Sequence, residues 1–320
     1  MINKVKKTLT PKEKASALDT LLSNVFIEQK RARRWGIFFK LLTFAYILLF
    51  FAIFSHGPGS DSNPTSKEFT ALIKLHGVIA PEAEVNAKDF RASLNKAYEN
   101  KGTKAILLSI NSPGGSPVQS GIINDEIKRM KAIHPEIPIK VVVEDICASG
   151  GYYIAVAADE IYANKASIVG SIGVLMNGFG FTEALKKIGV ERRLMTAGEN
   201  KGILDPFSPV SPKQEKHVKN LLSEVHQQFI DVVKEGRGSK LSQNSEIFSG
   251  LFWNGESALE LGLIDGFGDV YSVARDNLGY EEVVDFTTYE TFADRFAKKI
   301  GAGISSSFNY SFLFNKFNIN

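Results

Sequence analysis

From Glu68 onward the chain alternates between short apolar runs and longer segments with helical spacing. The apolar runs predict strands over Phe69–Leu75, Ala105–Ile110, Ile139–Asp145, Glu160–Ala163 and Glu191–Thr196. Between them the spacing predicts helices over Ala87–Glu99, Gln119–Ala132, Gly150–Ala157 and Thr182–Ile188. Such alternation argues for an α/β fold with parallel strands and crossover helices. The clearest helix is Ser211–Glu235, with Ser211 as cap, Pro212 in the first turn and Gln214 completing a capping box. Val218, Leu221, Leu222, Val225, Phe229, Val232 and Val233 form its apolar stripe, and Gly236 is expected to end it. That helix reads as packing or subunit contact. Residues 251–269 read as strand, short helix, then turn.

The pattern before Glu68 is different. Trp35–Phe54 is almost wholly apolar with one charge, Lys40. About 20 residues of helix suffice to cross a bilayer, and this stretch has no polar face. Lys40 lies near the basic end and can snorkel to the headgroups. Residues 1–34 carry nine Lys/Arg against three acids, whereas the rest of the chain is net negative. The basic flank is expected to stay in the cytoplasm. The chain then reads as a cytosolic segment (1–34), a transmembrane helix (35–54), a polar linker (55–67), a medium globular domain (68–300) and an aromatic tail (301–320). A cleaved signal peptide is disfavoured because the 34 residues before the apolar run are too many for a usual leader. The expected location is therefore the inner (cytoplasmic) membrane, single-pass, with the domain on the extracytoplasmic side.

Charge and cysteine narrow the classes further. The 320 residues have a net charge of +3, and past the N-terminus nothing is basic enough to suggest nucleic-acid binding. The run Lys30–Arg34 sits where a membrane flank belongs. The one cysteine, Cys147, rules out a disulfide within the chain and reads as packing. No ligand-spaced His/Cys/Asp/Glu cluster suggests a metal, and no phosphate loop follows the glycines at 114–115. No cofactor is expected.

Two loops carry candidate chemistry. Ser149 ends an apolar strand and is followed by Gly150, Gly151 and a helix. The hydroxyl would lie at the carboxyl end of the sheet, beside the unpaired amides of a first helical turn. Either a serine cap with tight-packing glycines or a nucleophile with oxyanion donors fits that stretch. Residues 112–116 (SPGGS) follow another strand, as a plain turn or as a second source of amides. A serine nucleophile needs a base. None of the five histidines (His56, His76, His134, His217, His226) sits in a pattern that aims it at Ser149. A lysine can serve where burial or neighbours lower its pKa, and Lys201 lies in a Gly-rich loop after a predicted strand.

Taken together, SPGG (112–115), ASGGYYIA (148–155), IVGSIGV (168–174), AGENK (197–201) and WNGESALELGLIDGFG (253–268) resemble the S49 signal peptide peptidases in their short, single-repeat form. The resemblance covers roughly residues 68–279. It implies a ClpP/crotonase-like repeated ββα domain and a Ser/Lys dyad. Ser149 would be the nucleophile, Lys201 the general base and Ser171 the residue that orients the lysine. Gly115 and Gly150 would supply oxyanion amides. It further implies peptide substrates such as remnant signal peptides, and a homo-oligomer in which the lysine can come from a neighbouring subunit. A crotonase-type acyl-CoA enzyme would share the loops but leave the serine without a role. A catalytically silent scaffold would be expected to lack the serine or the lysine, and both are present.

Overall fold

The computed structural model describes residues 11–55 and 67–288, with side chains described for residues 22–50 and 67–288. Within these, eight strands share one sheet: β1 (Phe69–His76), β2 (Thr103–Ser112), β3 (Ile139–Ala148), β4 (Glu160–Ala163), β5 (Ile168–Gly170), β6 (Phe252–Asn254), β7 (Gly266–Phe267) and β8 (Val283–Asp285). The main helices are α1 (Pro11–Ser55), α2 (Ala87–Glu99), α3 (Pro117–Ile133), α4 (Gly150–Ala155), α5 (Thr182–Lys187), α6 (Pro212–Arg237) and α7 (Gly255–Glu260). The chain divides into two units, one holding α1 and the other the sheet.

Strands β1, β2 and β3 run parallel, as the strand–helix alternation predicts. β3 is long enough to take two neighbours in turn along one edge. Lys140–Val143 pair with β4, and Ile146–Ala148 pair with β5. This split is what carries the end of β3 beyond the body of the sheet and lets β5 flank it there. β6 closes on β5 as the antiparallel partner, and β8 pairs with β1.

The period of two along each strand decides which face is which. Ala71, Ile73 and Leu75 of β1 line up with Ile106, Leu108, Ile110, Val141 and Val143. They pack under Phe90 and Leu94 of α2, Ile123 and Ile127 of α3, Tyr152 of α4 and Phe229 and Val233 of α6. The opposite face carries a smaller cluster of Leu72, Leu107, Val142, Tyr162 and Val273. Toward the strand ends that face turns polar, with His76 and Glu144 sharing the buried Ser109 hydroxyl.

Helix α2 has the predicted bounds, and α6 starts with the predicted capping box of Ser211 and Gln214. Three expectations need correction. α4 stops at Ala155 rather than Ala157. Gly236 does not end α6, which runs on to Arg237 and closes at Gly238 (φ +52°). Gly236 instead marks a close approach: a Cβ there would lie 2.1 Å from Val156 O. The third is Glu191–Thr196, which forms no strand. Its charges pair locally, Arg193 with Glu191 and Arg192 with Asp205, and Met195 is 91% exposed. Among the described residues no strand offers it a backbone ladder.

α1 is continuous through the basic run and the apolar stretch that follows. Among the described residues no helix is long and apolar enough to cross a membrane. The side chains of the last residues of the predicted span, Phe51–Phe54, fall outside those described, as do the core of the expected linker (56–66) and the tail (301–320).

The C-terminal end of α6 is tied down by a buried ion pair. Arg237 donates to Asp265 at 2.7 and 3.1 Å and to Gly262 O at 2.8 Å. Asp265 also accepts from Lys240 at 2.6 Å and from Ile161 N at 2.8 Å, which joins α6 to β4. Burial alone would push this carboxyl up, but the bonds from Arg237, Lys240 and the Ile161 amide outweigh it and hold it below the usual aspartate range. Asp265→Ala leaves the Arg237 guanidinium buried without its partner, at an expected cost of about 3–5 kcal/mol at neutral pH. Because the folded-state pKa is depressed, the carboxylate's contribution is complete above the unfolded-state value and is lost as pH falls through the folded-state value. Urea unfolding of the full chain should therefore show a wide gap between wild type and Asp265→Ala at neutral pH, narrowing at about pH 3. An equal gap at both would contradict this assignment.

Candidate active site

The site forms where β3 runs out between β2 and β5. β3 is apolar because it is covered on both faces, and it must then turn sharply into α4. Ser149 makes that turn with φ +52° and ψ −121°. A side chain in this left-handed region costs on the order of 1–3 kcal/mol and has to be held there by its surroundings. Two backbone bonds do so. Ser149 N donates to Gly170 O at 2.8 Å, and Tyr153 N donates to Ser149 O at 3.0 Å.

The loop after β2 lies directly against this turn, since β2 and β3 are sheet neighbours. It can do so because it has no side chains at the contact. A Cβ on Gly114 would lie 2.7 Å from Gly150 N and 2.8 Å from the Ser149 Cβ. Gly115 is bound just as closely on its other side, where a Cβ would be 2.1 Å from Ile79 O. Ile79 bridges the loop, donating to Gly114 O at 2.9 Å and accepting from Ser116 N at 2.7 Å. That pairing leaves the Gly115 amide between the two bonds without an acceptor among the described residues. The Gly150 amide, first in its helix, also has none. The two amides are adjacent: the Cβ position of Gly150 is 3.3 Å from Gly115 N. Two free donors side by side next to a serine hydroxyl can stabilise an oxyanion.

Ser149, Ser171, Gly115 and Gly150 all line one cavity of about 650 Å³. Its walls include Tyr153, Val174, Leu175, Val225 and Phe229 alongside Ser120, Gln228 and Ser249, so the space beside the serine is mixed, with apolar groups the larger share. Burial raises the pKa of the Tyr153 phenol, with the Asp125 and Glu235 charges adding to it, and it stays neutral. Ser171 is another non-glycine residue in the left-handed region, at φ +54°. Among the described residues no group of three His, Cys, Asp or Glu could hold a metal ion.

The structure thus gathers four of the five expected residues and leaves one apart. Lys201 is exposed and does not line the cavity. It lies in an excursion between β5 and α6 that folds on itself. Phe181 N donates to Pro206 O at 2.6 Å, Phe181 stacks on Phe207 at 5.6 Å, and Lys213 holds Glu199 at 2.9 Å. The excursion exposes much apolar surface: Leu175 is 83% exposed, Phe179 77% and Met195 91%.

Cys147 is a packing residue, as its place in the strand suggests. It is fully buried, and burial pushes its thiol pKa up. Of the histidines, His76 pairs with Glu144 on the far face and His134 stacks on Tyr98 at 4.5 Å, while His56 lies outside the described residues. His226 is the one that sequence reasoning passed over. It lines the cavity, and its Nε2 lies 3.1 Å from Ile172 O. The signal was there: His226 shares a helical row with Phe229 and Val233, the two buried apolar residues of α6.

Comparison with known proteins agrees with this geometry. The model of peptidase family S49 matches residues 131–279, which hold both Ser149 and Lys201. The putative signal peptide peptidase SppA of Enterococcus faecium is 32% identical over 240 residues, covering 72% of this chain and 68% of that one. The probable protease SohB of Haemophilus influenzae is 31% identical over 188 residues, 59% of this chain and 51% of that one. A protein of Brucella melitensis named Na(+)/H(+) antiporter NhaA is 49% identical over 213 residues, 65% of this chain. The chain spans 29% of that Brucella protein's length. The chain belongs to peptidase family S49.

Proposed function

We propose that this chain is a membrane-anchored serine endopeptidase with a Ser149/Lys201 dyad. The observation that carries the reading is the pair of unpartnered amides, Gly115 and Gly150, beside a serine on strained backbone. In this reading the Lys201 amine takes the Ser149 proton, and Oγ attacks a peptide carbonyl carbon. The two amides hold the tetrahedral oxyanion. Collapse breaks the C–N bond, and the lysine returns the proton to the leaving amine. Water, deprotonated by the same lysine, then hydrolyses the acyl-serine ester. Ser171, on the same cavity wall, orients the amine.

His226 is not a competing base through Nε2. Its partner there is a carbonyl, which can accept but not donate, so this nitrogen carries the hydrogen. Lys201 lies outside its own chain's cavity and on an arm rich in exposed apolar side chains. Both facts favour assembly, with the arm of one copy presenting the lysine to the cavity of another. Anchoring is supported by the exposed apolar side chains of α1 from Trp35 to Leu49 and by the basic residues before them. The apolar part of the cavity wall suits hydrophobic peptides, and remnant signal peptides are the substrate class we infer from the family.

Ser149→Ala should abolish peptide hydrolysis and fluorophosphonate labelling while leaving the assembly unchanged by size-exclusion chromatography. Full residual hydrolysis would remove Ser149 as nucleophile. Lys201→Ala should lose roughly 10³-fold or more in kcat/KM, whereas Lys187→Ala stays near wild type. Mixing and reassembling the inactive Ser149→Ala and Lys201→Ala proteins should restore hydrolysis if the lysine acts across subunits. Failure to recover activity in a mixed oligomer would place the dyad within one chain.

A further inference from the structure

The turn that carries Ser171 is held from three directions. Gly170 O accepts from Ser149 N at 2.8 Å, which ties the turn to the nucleophile loop. Ser171 N donates to Leu251 O at 2.7 Å, which ties it to the segment leading into β6. Ile172 O is held by His226 Nε2 at 3.1 Å, which ties it to α6. Gly173 N closes the turn on Ser171 O at 2.9 Å. A serine at φ +54° does not stay there unless its surroundings enforce it. Two of the three external tethers are backbone groups, fixed by the fold. The third is a side chain, and it comes from the helix that directly follows the Lys201 arm.

The two ends of α6 are held very differently. Its C-terminal end is locked by Arg237 on Asp265, and Phe229 and Val233 are buried. Toward its start Leu221 is 45% exposed, and Val218, Leu222 and Val225 are only half-buried. His226 sits at the boundary between these halves. Its imidazole is the side chain through which α6 holds the Ser171 turn.

We propose that His226 is a positioning residue: by donating its Nε2–H to the Ile172 carbonyl, it holds the Ser171 hydroxyl in the cavity that Ser149 shares. The proposal rests on reading Ser149 as the nucleophile. Either the neutral tautomer with hydrogen on Nε2 or the imidazolium makes this bond, so the role needs a donor and not a titration.

The test uses the full chain in detergent and compares wild type, His226→Phe, His226→Gln and Ser149→Ala on a hydrophobic peptide. Phenylalanine keeps the ring volume and loses the donor. Glutamine keeps an N–H that can reach a carbonyl. We expect His226→Phe to lose roughly 10- to 100-fold in kcat, as a misplaced reacting group does, with KM little changed. His226→Gln should recover most of that loss, with the shape of its pH–rate profile unchanged and its unfolding midpoint equal to that of His226→Phe. Wild-type kcat in His226→Phe would overturn the proposal. So would equal loss in two well-folded variants, because the donor would then be irrelevant. If His226→Phe does not fold, His226→Leu takes its place and the comparison with glutamine decides in the same way. Ser149→Ala separates this proposal from the reading beneath it. If Ser149→Ala hydrolyses peptide at the wild-type rate, the nucleophile assignment fails whatever His226 does. If it is dead while His226→Phe is unaffected, only the positioning role fails.

Discussion

The structure depends on one awkward residue. β3 must end, reverse and start a helix within the span of Ser149, and a non-glycine side chain at φ +52° can be kept there only by neighbours that leave no alternative. Gly170 O takes its amide, Gly114 and Gly150 clear the space around it, and Cys147 and Tyr152 are buried on either side of the turn. Each is a demand on a different strand or loop. The split of β3 between β4 and β5 follows from the same need. If β3 kept a single neighbour along its length, β5 would not reach the end of the strand to supply Gly170.

The same logic explains why the free amides are where they are. Backbone donors are normally paired, and burying one unpaired is unfavourable. Here Ile79 satisfies the groups on either side of Gly115 and skips its amide. Gly150 is unpaired for a different reason, being the first residue of a short helix. Two unrelated pieces of backbone accounting thus leave their remainders at one point, facing a cavity.

Much of this could be read in the sequence. The apolar runs at Phe69, Ala105 and Ile139 announced parallel strands because buried strands are apolar on both faces. Ser211 announced a helix start because its side chain accepts from the first turn. The two glycine loops could be expected to meet once β2 and β3 were neighbours. What failed was anything that depended on partners distant in sequence. Glu191–Thr196 has a plausible strand composition but no ladder to join, and its exposure reflects surface that none of the described residues covers. Gly236 looks like a helix terminator, but it serves to let α6 touch Val156 O. His226 looked like a bystander beside an apolar stripe because the carbonyl it holds lies 54 residues earlier in the chain.

Cys147 has a practical consequence. It is the chain's one sulfhydryl, it is fully buried, and its burial disfavours the thiolate that reagents attack. The native protein is therefore blank to maleimide and spin-label chemistry without any residue having to be removed first. A cysteine introduced on the arm at Met195, and another at a helix on the sheet, would be the two accessible thiols. Distances between labels there would report directly on where the arm goes when copies of the chain come together.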